Sequence, residues 1–478
     1  MTETTENQYL GTEKIPKLML KFSIHCVLSL LVSALYNIVD QIFIGNSELG
    51  TLGNAATGVV FPIFIVSQAF AWCLGDGCAA DLNIRQGRND ASSAHKTIGS
   101  GITVTLLASL VLLAVFFPVK KPMLTLFGAS ENSMPYASTY FDIVLAFFPA
   151  YMLMNMINSV IRADGSPAWA MISTLSGAAV NIVLDGIFIF VCKWGMAGAA
   201  WATVIGQVIS LILGAGYLAF GTKTFKLNFK SFLPDFKALA GALKLGMSSF
   251  ITQMTIVVIA VVCNIMLAKY GASSEYGADI PIAIVAIESK VFTVVISLVV
   301  GIALGCQPVI GYNIGAKNMD RVKKTYLYIM LCTTVIGVLF TILFEAAPRA
   351  VVGIFGSPDP EQGIDPELYN EFAVKLFRIF LMGIIFTLIV KMSSIFFQAA
   401  GKPVFAVIAS LVRDILCFVP LVCLLPLAMG IDGVLWAAPI SDLIAFAVTA
   451  VLTVAYWRKN SPRVYRSSHR EFYHRNRM

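Results

Sequence analysis

Charge is scarce in this chain. Asp, Glu, Lys and Arg make up 13% of its 478 residues, where a soluble globular protein carries about 25%. That leaves too little polar side chain to cover a water-soluble globule, and 58% of the residues are hydrophobic. Histidine is scarce as well, with four scattered copies. The nine cysteines (26, 73, 78, 192, 263, 306, 332, 417 and 423) form no close Cys-x-x-Cys pair and join no histidine at ligand spacing. A His/Cys metal centre therefore has no support, and the cysteines read as small buried hydrophobes. His-Glu-x-x-His, Gly-x-Ser-x-Gly and phosphate-binding Gly-Lys-Ser/Thr patterns are absent, so no enzyme and no cofactor is expected. No channel-filter sequence stands out. No signal peptide shows either: the first 13 residues are polar, and the apolar segment that follows is too long for an h-region and should stay as a signal anchor.

What the chain has is long apolar runs. They are about 20 residues or more, which fits membrane-spanning helices rather than the ~10-residue alternating strands of a barrel. The fold class is an all-α polytopic membrane protein with twelve transmembrane helices. The spans are 17–44, 54–80, 94–118, 137–162, 168–192, 196–219, 238–269, 280–306, 322–345, 370–398, 404–428 and 432–457. In "IRADGSPAW", Gly165 suits a helix C′ position, Ser166 can cap the next helix and Pro167 fits its first turn; "QAAGKPVF" at 398–405 repeats the device.

Basic residues set the orientation. The N-terminal segment, the loops near 81–96, 162–167, 220–244, 311–324 and 401–403, and the tail after Trp457 hold 24 of the 34 Lys and Arg. The opposite loops hold five: Lys120, Lys121, Lys193, Lys269 and Arg349. The positive-inside rule puts both termini in the cytoplasm and the acidic 345–371 loop outside. The basic tail, 458–478, reads as a solvated segment near anionic lipid, not as a nucleic-acid arm.

The two halves of the sequence repeat in order. "RADGSP" (162–167) matches "QAAGKP" (398–403), and "GMAGAAW" (195–201) matches "GIDGVLW" (430–436). "GDGCAADLNI" (75–84) matches "GCQPVIGYNI" (305–314), and "LFG" (126–128) matches "IFG" (354–356). The offset drifts smoothly from 228 to 236. Six helices per half make the repeats parallel, related by an axis along the membrane normal. The expected organisation is an N-lobe at 1–225, a C-lobe at 226–457 and the tail. Duplicated helical halves with a central cleft are a transporter architecture; a duplicated scaffold without a cleft is the plainer alternative.

A few polar residues lie inside the spans. Asp40 sits in the first, Asn181 and Asp185 in the fifth ("NIVLD"), and Thr203 in the sixth. A spacing of four puts Asn181 and Asp185 on one helix face. An intramembrane carboxylate costs roughly 2.5–3.5 kcal/mol at mid-bilayer and normally faces a bundle interior or a watery cavity. The repeat aligns Asn181 with Cys417 and Asp185 with Leu421, so the scaffold does not require the pair. Two readings stand: a polar cluster that fixes helix packing, or a site that takes up H⁺ or Na⁺. Oxygen donors suit a hard cation, and desolvation favours a protonated carboxyl. Glu288 and Lys290 form a second group; Lys391 with Arg413 and Asp414 forms a third that reads either as mutual ion pairs or as cavity lining.

Five stretches carry a family resemblance: "ALYNIVDQIFIG" (34–45), "IRADGSP" (161–167), "NIVLDGIFIF" (181–190), "AIESKVF" (286–292) and "GCQPVIGYNIGAKN" (305–318). Collinear over about residues 12–457, they resemble the multidrug and toxic compound extrusion (MATE) family, most closely its bacterial MepA-like branch. The resemblance implies a V-shaped pair of six-helix lobes. It also implies efflux of organic, often cationic, compounds by H⁺ or Na⁺ antiport, with a monomer working in the lipid bilayer. The family's cation-site pattern falls on Asp40, Asn181, Asp185 and Thr203, and its helix-8 glutamate on Glu288. Tyr36, Asn37, Gln253 and Gln307 join Glu288 as candidate cavity or substrate residues. His25 stands where many relatives carry proline, and Gly186 where proline is common. The seventh span offers only Gln253 and Asn264 as amides, and the tenth has Lys391 and no acid; coupling is therefore expected in the N-lobe. A lipid-linked glycan flippase is the alternative, but it would prefer a strongly cationic cavity.

Overall fold

The computed structural model describes residues 8–277, 279–354 and 365–460. The basic tail from 461 and the 355–364 part of the acidic loop lie outside the described residues. Among the described residues the only regular secondary structure is helical, as a solvent that cannot hydrogen-bond the backbone demands.

The spans are α1 (Ile15–Gly45), α2 (Gly50–Gly87), α3 (Ala94–Phe116), α4 in two pieces (Met134–Ala146 and Phe148–Ala163), α5 (Pro167–Val191) and α6 (Gly195–Phe220). They continue with α7 (Phe236–Gly271), α8 (Asp279–Gly315), α9 (Met319–Ala346), α10 in two pieces (Pro366–Phe380 and Ile384–Ala399), α11 (Pro403–Met429) and α12 (Ile431–Asn460). Among the described residues ten helices are long and apolar enough to cross a membrane, or twelve when each bent pair counts as one span.

The structure differs from the sequence reading in three places. α2 and α8 run on to Gly87 and Gly315, through residues that read as loops because their polarity closes the apolar window. The i,i+4 pair Arg85–Asp81 (2.7 Å) supports the polar end of α2. α4 and α10 are not single helices: they bend by 57° and 50°. Pro149 explains the first bend, since it lacks the N–H and its ring crowds the carbonyl four residues back. The breaks fall at Phe147 and at residues 381–383, the spacing of the sequence repeat. Finally, Ser166 occupies the N-cap position but makes no cap bond; its hydroxyl accepts from Tyr217 Oη (2.9 Å). The glycines behave as their positions require: Gly165 and Gly401 have φ of +84° and +70°, and Ser166 N and Lys402 N donate to Ile161 O and Phe397 O, closing the helix C-termini.

The chain forms two compact units. The first runs to Val257 and includes Leu304–Ala316; the second holds Val258–Ala303 and the chain from Lys317 on. α7 and α8 are thus each shared between units. In the first unit α5 packs on α6 and α1, and the second piece of α4 packs on α2, α3 and α6. In the second, α10 packs on α9 and α12, and α11 on α12.

The end of α8 seats on α2 backbone to backbone. A Cβ on Gly87 would lie 1.8 Å from Tyr312 O, and one on Gly315 2.0 Å from Ile84 O. Asn313 Nδ2 then donates to Leu10 O (3.0 Å), tying in the short helix Tyr9–Thr12. Gly87→Ala should lower the unfolding temperature of the purified protein by several degrees, a cost of about 1–3 kcal/mol for forcing packed backbones apart. Gly216→Ala, on α6 with nothing within 4 Å of the added carbon, should leave it unchanged or raise it.

Candidate functional site

α1 brings Asp40, α5 brings Asn181 and Asp185, and α6 brings Thr203. The α5–α6 crossing is close because both sides are glycine: a Cβ on Gly177 would sit 2.6 Å from Gly206 O. Asn181 lies one turn on, packed against Gly206. Directly after Asp185 the helix widens into a π-helical segment, Gly186–Val191, a feature frequent at functional sites. Phe190 of that segment meets Phe43 of α1 edge-on, with centroids 5.9 Å apart.

The result is a buried cluster of oxygen-bearing side chains. Asp40 is 9% exposed, Asn181 2% and Asp185 0%. The two carboxyl groups adjoin each other, and the Asn181 amide adjoins Asp185. Tyr140, from the first piece of α4, lies beside Thr203 and near both carboxyls; Tyr36 lies near Asp40. Asp40 Oδ1, both Asp185 oxygens and both amide atoms of Asn181 are buried without a hydrogen-bond partner among the described residues. Each such group costs about 1–3 kcal/mol, more when charged. That cost is removed if the carboxyls share protons or if a small hard cation takes the donor set.

The other sequence candidates separate. Asn37 is exposed and donates to Ser33 O (2.7 Å). Gln253 donates to Gln68 Oε1 (2.8 Å). Gln307 is buried with its Nε2 unpartnered. Glu288 is buried in the second unit, where Arg413 and Asp442 are its charged neighbours; Lys290, two residues on, cannot face it.

In that unit the third group is an ion-pair network. Lys391 Nζ meets Asp414 Oδ2 at 2.6 Å, Arg413 Nη1 meets Asp414 Oδ1 at 3.0 Å, and Arg413 Nε meets Asp442 Oδ1 at 2.8 Å. Arg413 and Asp414 lie in a second π-helical segment, Val412–Phe418. Sequence reasoning missed Asp442, although an acid in the apolar run "ISDLIAF" gives the same signal as Asp40. It also missed Asp76 of α2, which accepts from Ser159 (2.8 Å) and Ser249 (2.8 Å) with Arg162 at 3.8 Å.

The MatE family model matches residues 26–187 and 248–424. The chain belongs to the MatE family. As a MatE protein it is a multi-pass membrane transporter. Multidrug export protein MepA of Staphylococcus haemolyticus (strain JCSC1435) is 26% identical over 441 residues, 91% of this chain and 92% of that protein. A solved structure of the MATE multidrug transporter DinF-BH superposes with a TM-score of 0.85 at 30% identity, covering 94% of this chain and 97% of that one. A MOP superfamily transporter from Pyrococcus furiosus gives a TM-score of 0.86 at 22% identity over 95% of this chain and 99% of that one, a likeness of fold.

The network of this MatE chain should be structural. Asp414→Asn leaves Lys391 and Arg413 short of a counter-charge and should cost about 3–5 kcal/mol, read as a lower unfolding temperature. Glu48→Gln, which breaks only the exposed 3.5 Å pair with Lys193, should not shift it.

Proposed function

We propose that this transporter exports lipophilic, predominantly cationic organic compounds by H⁺ or Na⁺ antiport, with Asp40, Asn181, Asp185 and Thr203 as the coupling site. The observation that carries this reading is the pair of adjoining, buried carboxyls beside an amide whose polar atoms have no partner among the described residues. The names of the relatives, multidrug exporters along almost the whole chain, support the direction and substrate class.

The mechanism follows from the packing. With no ion bound, two adjoining carboxylates repel across the α1–α5 contact. Protons or a cation neutralise them and let α1, α5 and α6 close on one another. A site biases a conformational equilibrium only if its affinity differs between the two states. A tenfold difference in ion affinity is worth about 1.4 kcal/mol. Loading from outside would then favour release of the exported compound, and ion loss to the cytoplasm would reset the site. Tyr140 would hold Thr203 and carry the first piece of α4 with the change.

The test is flux in proteoliposomes with ΔpH and a Na⁺ gradient imposed separately. Asp40→Asn and Asp185→Asn should fold and insert yet lose gradient-driven accumulation by 10-fold or more, about 1.4 kcal/mol of coupling, while binding lipophilic cations. Glu288→Gln should be milder or alter substrate range. Intact ion-coupled flux in both Asn variants would leave the cluster as packing, and movement of anionic or lipid-linked substrates alone would favour a flippase.

The same reading puts both termini in the cytoplasm of a bacterial plasma membrane. In a cysteine-free background, Asp365→Cys should react with a membrane-impermeant reagent on intact cells and Lys230→Cys only after the cells are opened. The reverse pattern would invert the topology.

A further inference from the structure

The linker from α6 to α7 combines two properties that conflict in water. With the first turns of α7 it carries five lysines, Lys223, Lys226, Lys230, Lys237 and Lys244, against one acid, Asp235. It also exposes large apolar side chains: Phe229 is 91% exposed and Phe236 68%, and Phe232 and Leu233 are exposed beside them. The backbone beneath them is fixed. Lys223 N and Thr224 N donate to the buried Asp164 carboxylate (2.8 and 3.1 Å). Asn228 and Ser231 form a capping box. Ser100 Oγ of α3 donates to Leu233 O (3.1 Å) and accepts from Asp235 N (2.8 Å), and Thr103 Oγ1 donates to Phe232 O (2.7 Å). The chain lies so close to α3 that a Cβ on Gly99 would come within 2.1 Å of Ser231 O. Asp235 accepts from Ala238 N (3.0 Å) and so caps the start of α7.

A loop free to rearrange would turn its phenylalanines inward. This one is pinned with them outward. Because it joins two membrane spans, it lies at a membrane face, where an apolar side chain beside a basic one meets acyl chain and headgroup together. We propose that this linker is a binding surface for anionic phospholipid. Phe229, Phe232, Leu233 and Phe236 enter the boundary between headgroups and acyl chains, and Lys226, Lys230 and Lys237 hold the anionic headgroups. The pinned backbone pre-organises the surface, so little ordering is lost on binding.

The test uses the full-length, cysteine-free protein with Phe229→Cys carrying an environment-sensitive fluorophore, titrated in detergent micelles with phosphatidylglycerol, phosphatidylcholine or inorganic phosphate. Each basic residue near a charged surface contributes about fivefold in binding. Phosphatidylglycerol should therefore act at an at least roughly tenfold lower mole fraction than phosphatidylcholine, and inorganic phosphate should not act. Combining Lys226→Gln, Lys230→Gln and Lys237→Gln should remove the preference. If that variant does not fold, Lys230→Gln alone should weaken phosphatidylglycerol by about fivefold. Equal responses to the two lipids, a preference that survives loss of the lysines, or a response to inorganic phosphate alone would each overturn the proposal. None of these readouts depends on drug flux or on the carboxyl pair.

Discussion

The molecule is governed by the absence of hydrogen-bonding solvent around it. Inside the bilayer every polar group must find a partner in the protein or carry its desolvation cost. The backbone meets this by being helical nearly throughout. The second unit meets it with charge, since Lys391, Arg413, Asp414 and Asp442 satisfy one another. The carboxyls of Asp40 and Asp185 do not follow that pattern. Asp40 Oδ1, both Asp185 oxygens and the Asn181 amide are buried without partners among the described residues. Two buried acids and an amide left unsatisfied side by side form a cluster to which something from outside can bind.

The repeat shows how one scaffold takes both solutions. With the sequence offsets applied, Gly177 corresponds to Arg413, and Gly206 with Gln207 corresponds to Ser441 with Asp442. In the first unit the fifth and sixth helices meet through bare glycine backbone. At the same crossing in the second unit an arginine and an aspartate pair at 2.8 Å. Glycine contact holds the helices by close approach and leaves the neighbouring polar residues free of structural duty. An ion pair uses its charges up in holding the helices. This explains why Asn181 and Asp185 have only Cys417 and Leu421 as counterparts.

Much of this could be read in the sequence. Low charge and long apolar runs pointed to the helical membrane class, and a carboxylate inside an apolar run marked Asp40 and Asp185. Four-residue spacing joined Asn181 to Asp185, and the Gly165 and Gly401 junctions carried their backbone requirement in their composition. Other features were illegible for physical reasons. α2 and α8 outlast their apolar windows, because a polar helix end is still a helix. The break in α10 has no proline to announce it. The partners of Asp442 and Asp76 are as far as 29 and 173 residues away in sequence, so the acids could be seen but their fates could not. Thr203 stood out only as a polar residue inside the sixth span, and the family pattern then fell on the same position.

The bends in α4 and α10 have a mechanical meaning. A continuous helix is a drive shaft: a twist applied at one end arrives at the other. A helix interrupted and bent by 57° is two short levers meeting at a joint. Tyr140, beside the carboxyl pair, rides on the first lever of α4. Ser159 and Arg162, beside Asp76, ride on the second. A disturbance at the carboxyls can therefore turn the first lever without torque reaching the Asp76 cluster, and one membrane crossing can hold one position while its other end is in motion.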